Sequence, residues 1–305
     1  MAEDINNKEL VEKILQLKKK RNAVILAHNY QRAEVQDIGD FVGDSLELSR
    51  MAAKADADTI VFCGVHFMAE TASILSPDKI VLLPDAEAGC PMADMITVEA
   101  LLKKKQEMPG AHVVCYVNSS AAVKAESEIC CTSANAVAVV KSLGEGEIIF
   151  VPDQYLGHYV STVLNRPMIL WPGFCPTHVR IQPEDILKQK KKYPQALVLV
   201  HPECRPETTA VADQVLSTGG MLRFARETDA KEFIMATEVG ILHRMRKENP
   251  GKTFIPASEK AVCPNMKKIT LEKVLWVLEE MKPAVKVPEG IRARAKTSVD
   301  KMLAI

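Results

Sequence analysis

Apolar runs rich in β-branched residues recur along this chain, and each ends on polar residues in a regular order. Val24-Ile25-Leu26-Ala27 runs into His28-Asn29-Tyr30, Val113-Val114-Cys115-Tyr116-Val117 into Asn118-Ser119-Ser120, and Leu197-Val198-Leu199-Val200 into His201-Pro202-Glu203. Some 15 to 17 residues later a short apolar stretch meets a hydroxyl, at Ser45, Ser133 and Thr218. Helical patterns then lead to second runs at 59–62, 148–151 and 233–236, and to third runs at 80–83, 168–171 and 253–256. Each set closes on a Cys-Pro dipeptide, Cys90-Pro91, Cys175-Pro176 or Cys263-Pro264. The cysteines are 85 and 88 residues apart, and self-similarity at a fixed period marks a repeat architecture.

Continuous apolar runs alternating with helical stretches predict parallel strands covered on both faces, hence a layered α/β fold. The expectation is three homologous αβα Rossmann-like domains, 1–107, 108–193 and 194–305, each with about four short parallel strands. They would be arranged with pseudo-threefold symmetry around a central cavity. The first carries an N-terminal helix and the last the C-terminal helices, an amphipathic one over 271–281 and another over 288–305. In open α/β sheets ligands bind outside the carboxyl ends of the strands, where all three copies place their polar residues. Ser45, Ser133 and Thr218 fall where a strand gives way to a helix. Serine and threonine are favoured N-caps, and helix N-termini attract carboxylate and phosphate. Three such ends predict a shared anion site; three ordinary caps are the alternative.

Charge narrows the choice of partner. The 305 residues hold 39 basic and 39 acidic side chains, so there is no electrostatic footprint for nucleic acid or an anionic membrane. The basic runs 18–21, 103–105 and 190–192 each precede a first strand, where they suit solvated helix C-termini. No apolar stretch reaches the roughly 18 residues of a membrane span, and the opening Met1-Ala2-Glu3-Asp4 lacks the form of a signal peptide. The expected location is the cytosol.

Eight cysteines in a cytosolic chain call for something other than disulfides. Cys90, Cys175 and Cys263 are equivalent in the repeat, and three converging thiolates without a fourth suit a metal or cluster with one open position. Cys63 and Cys115 lie in strand runs, where free cysteine is a small core residue. Cys130 and Cys131 read as core, with one of them a candidate for the cavity wall. Cys204 is the rival ligand, but it has no counterpart in the other copies. Zinc, completed by histidine or cysteine, is the alternative occupant of the three-thiolate site, and spacing alone leaves the two open.

The acid–base candidates gather at the same edge: His28, His201 with Glu203, and His178, three residues past Cys175. Tyr30 and Tyr116 can donate to a carbonyl or enolate, and Asn118 can donate and accept. His66, His112, His158 and His243 lack this placement and read as surface or packing residues.

The strings Ile25-Leu26-Ala27-His28-Asn29-Tyr30-Gln31, Gly43-Asp44-Ser45-Leu46, Phe67-Met68-Ala69-Glu70, Tyr116-Val117-Asn118-Ser119, Thr132-Ser133-Ala134-Asn135, His201-Pro202-Glu203-Cys204 and Ser217-Thr218-Gly219 together resemble the quinolinate synthase family. The likeness runs in order from about residue 8 to about residue 282. It implies a transferase of de novo NAD biosynthesis that condenses iminoaspartate with dihydroxyacetone phosphate, with coupling to an iminoaspartate-producing enzyme. It also implies a triangular three-domain fold and a [4Fe–4S] cluster on Cys90, Cys175 and Cys263 whose open iron acts as a Lewis acid. By the same resemblance His28, Tyr30, Ser45, Ser133 and Thr218 bind carboxylate or phosphate, and Tyr116 and Asn118 orient the triose. His201 and Glu203 shuttle protons, with His178 near the cluster. Some family members carry a second cysteine three residues after the last ligand; here that position is Met266, which predicts no disulfide switch and a residue lining the cavity. An iron–sulfur sensor or carrier and a zinc-dependent lyase are the rival readings.

Overall fold

The protein is described from a computed structural model covering residues 2–305, with side chains from residue 7 onward. Helix α1 (Ala2–Lys20) leads into β1 (Ala23–His28), α2 (Ala33–Asp37), β2 (Phe41–Gly43), α3 (Ser45–Lys54), β3 (Thr59–Cys63), α4 (His66–Leu75) and β4 (Ile80–Leu82). The second set is α5 (Val98–Glu107), β5 (His112–Tyr116), α6 (Ala121–Ala125), β6 (Ile129–Cys131), α7 (Ala136–Ser142), β7 (Ile148–Val151), α8 (Gln154–Leu164) and β8 (Ile169–Leu170). The third is α9 (Pro183–Lys192), β9 (Leu197–Val200), α10 (Pro206–Thr209), β10 (Gln214–Val215), α11 (Thr218–Glu227), β11 (Glu232–Ala236), α12 (Ile241–Glu248) and β12 (Thr253–Pro256), followed by α13 (Leu271–Glu280) and α14 (Glu289–Leu303).

Three four-stranded sheets result, ordered β2-β1-β3-β4, β6-β5-β7-β8 and β10-β9-β11-β12, with every pairing parallel. The central strands show why continuous apolar runs were required: all five residues of β3 and all four of β7 are buried, as befits sheets covered on both faces. The α/β architecture with three Rossmann-like units is as the repeat predicts.

Each Cys-Pro opens a tight 3-10 turn three residues later, at Ala93–Met95, His178–Arg180 and Met266–Lys268. The chain then crosses to the next sheet. Helix α5 meets α6 of the second sheet and α9 packs on β11 of the third. Helix α13 returns to α1 and β3 of the first, closing the ring. Its Val274, Val277 and Leu278 are buried. Helix α14 packs on α6, β6 and α4 through Ala295, Val299 and Met302. The three basic runs end α1, α5 and α9, as their charge suits. Among the described residues no helix is long and apolar enough to cross a membrane.

The cap assignment needs correcting. Asp44, not Ser45, caps α3: its carboxylate accepts from Leu46 and Glu47 N–H, and Glu47 reaches back to close a capping box. Ser217, not Thr218, caps α11. Ser133 lies two residues before the Asn135 cap position of α7. In two of the three units the residue just before the candidate hydroxyl takes the capping bond and releases that hydroxyl from the task.

Candidate active site

The carboxyl ends of the three sheets surround one cavity of about 260 Å³. All thirteen residues singled out from the sequence line it: His28, Tyr30, Ser45 and Cys90; Tyr116, Asn118, Ser133, Cys175 and His178; His201, Glu203, Thr218 and Cys263. Met266 lines it too. No residue of α14 does, and neither Cys130 nor Cys131 does, both being fully buried in β6. Cys204 is also buried away from the wall, its thiol directed at the Ala236 carbonyl. Of the two readings open for Cys130 and Cys131, the core one therefore holds: both are enclosed within β6 and its packing.

The three candidate ligands are the partly accessible thiols of the chain; the other five are buried. Burial pushes Cys90 up to about 12 and raises Cys175 and Cys263, and the neighbouring thiols add repulsion, Cys263 on Cys90 and Cys90 on Cys175. Against this, backbone N–H groups of the following turn aim at each sulfur: Met92 and Ala93 at Cys90, His178 at Cys175, Asn265 and Met266 at Cys263. Such a turn is a small nest for anionic sulfur, and a bound cation would remove the remaining penalty. Thiolates on one tetrahedral zinc lie about 3.8 Å apart at the usual Zn–S length. Among the described residues, the one set of three donors within 4.8 Å of one another is Cys175, His178 and Glu203. The three cysteine sulfurs thus do not all lie within 4.8 Å of one another and are spread more widely than a single zinc ion requires.

Glu203 is the hub of the polar network. Its Oε2 is 2.7 Å from His178 Nδ1, and its Oε1 accepts from the Tyr116 hydroxyl and, at 3.4 Å, from Asn118 Nδ2. Burial opposes its charge, but His178 above all, with His201 and Tyr116, holds its carboxyl down at about 2. His178 stacks on His201 with ring centres 4.5 Å apart. Its other nitrogen lies 3.0 Å from Thr237 Oγ1, which is 2.6 Å from the Tyr30 hydroxyl. Burial also raises Tyr30 and Tyr116, with Glu203 adding to the effect, so both phenols stay protonated.

His28 and His201 are neutral donors. Burial depresses both to about 3, and each Nδ1 accepts a backbone N–H two residues on, from Tyr30 and Glu203. Thr218 accepts from Asn29 Nδ2 at 3.0 Å, which leaves its own proton free. Asn118 Oδ1 is buried without a protein partner, which suits a ligand donor.

The sequence reading missed Asp44, Arg180, Thr237, Glu238 and Lys267. Arg180 is exposed and is the only lysine or arginine among the residues lining the cavity. Glu238, fully buried, accepts from the Cys263 N–H at 3.1 Å and pairs with Lys267 Nζ at 3.0 Å. Thr237 follows β11 directly and Glu238 comes next, so the strand-end rule applied to the second strand of the repeat would have found both.

Residues 12–304 match the family described as quinolinate synthetase A protein. A quinolinate synthase of Dehalococcoides mccartyi strain CBDB1 is 61% identical over 299 residues, covering 98% of this chain and 99% of its own. One of Methanosarcina barkeri strain Fusaro is 57% identical over 297 residues, and one of Thermodesulfovibrio yellowstonii 58% over 296, each covering 97% of this chain and 98% of its own. With three thiols, a buried carboxylate hub and two neutral imidazoles meeting at one cavity, and with similarity along nearly its whole length, this chain belongs to the quinolinate synthase family.

Proposed function

We propose that this chain condenses iminoaspartate with dihydroxyacetone phosphate to quinolinate, releasing phosphate and two waters, at a [4Fe–4S] cluster held by Cys90, Cys175 and Cys263. Family membership implies an iron–sulfur centre. The observation that carries the finer reading is the convergence of one thiol from each sheet, each facing backbone N–H groups, on a cavity that also holds Glu203. With three protein ligands, the bound cluster supplies a Lewis-acidic iron that polarises a substrate hydroxyl or carboxylate.

The residues divide the remaining work. Ser45, Ser133 and Thr218 bind carboxylate or phosphate, with His28 and His201 adding Nε2–H donors that carry no charge. Tyr116 and Asn118 orient the triose. Glu203 is ionised and hydrogen-bonded to His178, so it can accept a proton during isomerisation and return it to a departing hydroxyl. Tyr30 donates to an oxygen that gains charge. The imine substrate hydrolyses readily, which places the chain directly after an iminoaspartate-producing enzyme. Reduced thiols throughout suit the cytosol.

A second reading has one observation in its favour: Cys175, His178 and Glu203 sit close enough to hold a single zinc ion. His178 Nδ1 is already committed to Glu203 at 2.7 Å, however. Metal content separates the two. Anaerobically purified protein should hold about four irons and four acid-labile sulfides per chain, and should form quinolinate from iminoaspartate generated in situ. Stoichiometric zinc without sulfide would overturn the cluster.

A further inference from the structure

Asn29 and Arg244 belong to no candidate set, and neither lines the cavity. Asn29 follows β1 and is fully buried. Its Nδ2 donates to Thr218 Oγ1 at 3.0 Å, and its Oδ1 accepts from Arg244 Nη1, also at 3.0 Å. Arg244 stands on α12 of the third unit, where the same Nη1 donates to the Val42 carbonyl of the first and Nε pairs with Glu248. Of the three, Thr218 alone lines the cavity, at the start of α11. One line of donors therefore runs from a partly exposed guanidinium, through a buried amide, to a hydroxyl of the cavity wall.

We propose that Arg244 and Asn29 are positioning residues that fix the polarity of Thr218, making its hydroxyl a donor to an acceptor-only group in the cavity, a carboxylate or a phosphate. A guanidinium donates and never accepts, so the end of the amide that faces Arg244 is the carbonyl. The NH2 end then faces Thr218, whose oxygen accepts that bond and whose proton is left for the cavity. With the amide reversed, Thr218 would spend its proton on Asn29 Oδ1 and show the cavity only lone pairs, which repel an anion. The two ends of a carboxamide are nearly alike in shape, so packing alone does not choose between these states; the arginine does. Its own place is fixed by the Val42 carbonyl and Glu248. Donors in series also polarise one another, which strengthens the last bond of the line.

This inference rests on the anion-binding role proposed above for Thr218 and deepens it. The test uses cluster-loaded protein of measured iron and sulfide content. It reads steady-state kinetics together with calorimetric binding of two probes, inorganic phosphate and succinate, which tell a phosphate site from a carboxylate site. Arg244→Met keeps most of the side chain's length and removes the donor, so the amide is free to turn. It should weaken one probe by about threefold to tenfold, raise KM for the substrate with the same anionic group by a similar factor, and leave kcat within about twofold. Arg244→Lys should restore binding to within about twofold of wild type. Asn29→Asp accepts on both oxygens and draws the threonine proton away from the cavity, so it should cost at least about tenfold. In a Thr218→Val background there is no hydroxyl to orient, and adding Arg244→Met should change binding by less than about 1.5-fold. Unchanged binding in Arg244→Met, a loss that lysine does not rescue, an equal loss with and without Thr218, or a fall in kcat alone would each overturn the inference, as would a wild type that binds neither probe. Should Arg244→Met fail to fold, Asn29→Asp takes its place in the comparison with Thr218→Val, where it should lose most of its effect. Inactive wild-type protein would refute the reaction, while the probe titrations would still decide the role of Arg244 and Asn29.

Discussion

His28 accepts the backbone N–H of Tyr30 on Nδ1 at 3.1 Å, and this fixes the imidazole proton on Nε2. His201 repeats the arrangement with Glu203 at 3.3 Å in the third unit. Glutamine places its amide N–H near the Nε2 position, whereas asparagine reaches only as far as Nδ1. In steady-state assays His201→Gln should therefore retain about tenfold more kcat/KM than His201→Asn. Equal activities would show that the Nε2 proton is not used.

The same two histidines predict an acid limit to stability. Both are depressed from 6.5 to about 3 by burial, so below pH 6.5 the unfolded chain binds protons that the folded chain refuses. Stability should fall as pH drops from about 6.5 towards 3, by roughly 1 kcal/mol per histidine per pH unit. Denaturant midpoints at pH 7 and pH 5 would measure it, and a midpoint that holds or rises at pH 5 contradicts the assignment.

Glu203→Gln keeps the shape of the hub and removes its charge. His178 loses its ionic partner, and a bound polyanion loses a repelling neighbour. We expect kcat to fall by about a hundredfold or more while KM for either substrate does not rise. Undiminished turnover would remove Glu203 from proton transfer.

Gly240 follows the Glu238 clamp on Cys263. A Cβ there would stand 2.6 Å from Lys267 Nζ, 2.7 Å from Glu238 Oε2 and 2.8 Å from the Tyr30 carbonyl oxygen. The backbone itself would accept alanine, at φ −59° and ψ −28°, so the conflict is one of space alone. Gly240→Ala should cost about 1–3 kcal/mol and lower the thermal midpoint by several degrees. An unchanged melt would mean that the Lys267–Glu238 pair yields freely.

The repeat made the sheets and the first-strand ends legible because the same kinds of residue recur there: His28, Asn118 and His201, then the cysteines. The second-strand ends carry no such rhyme. Thr237-Glu238 corresponds to Gly64-Val65 in the first unit and to Pro152-Asp153 in the second, so the clamp and the Tyr30–His178 bridge were hidden. The helix starts were off by a residue at Ser45 and Thr218 because Asp44 with Glu47, and Ser217, compete successfully for the capping bond. Amphipathicity identified α13 as having a buried face but could not say against which sheet. Lys267 went unnoticed, since pairing with a buried carboxylate 29 residues away leaves no local signal.

Thiol burial outside the ligand set predicts an alkaline limit. Burial raises Cys63, Cys130, Cys131 and Cys204 above the ordinary thiol value of 9.0. Above pH 9 these groups ionise in the unfolded chain and remain protonated in the folded one, so the folded state binds more protons and stability falls as pH rises. Four thiols together should remove about 4 kcal/mol between pH 9 and pH 10. Cys115 works in the opposite sense over a lower range. Although buried, it is held at about 7 by Cys130, Lys124, Ser119 and Ser127, and its contribution is complete above pH 9. Guanidinium unfolding at pH 8, 9 and 10 should show a midpoint that drops steeply over the last step, less so in Cys131→Val. A midpoint flat from pH 9 to pH 10 would mean that these thiols ionise within the fold.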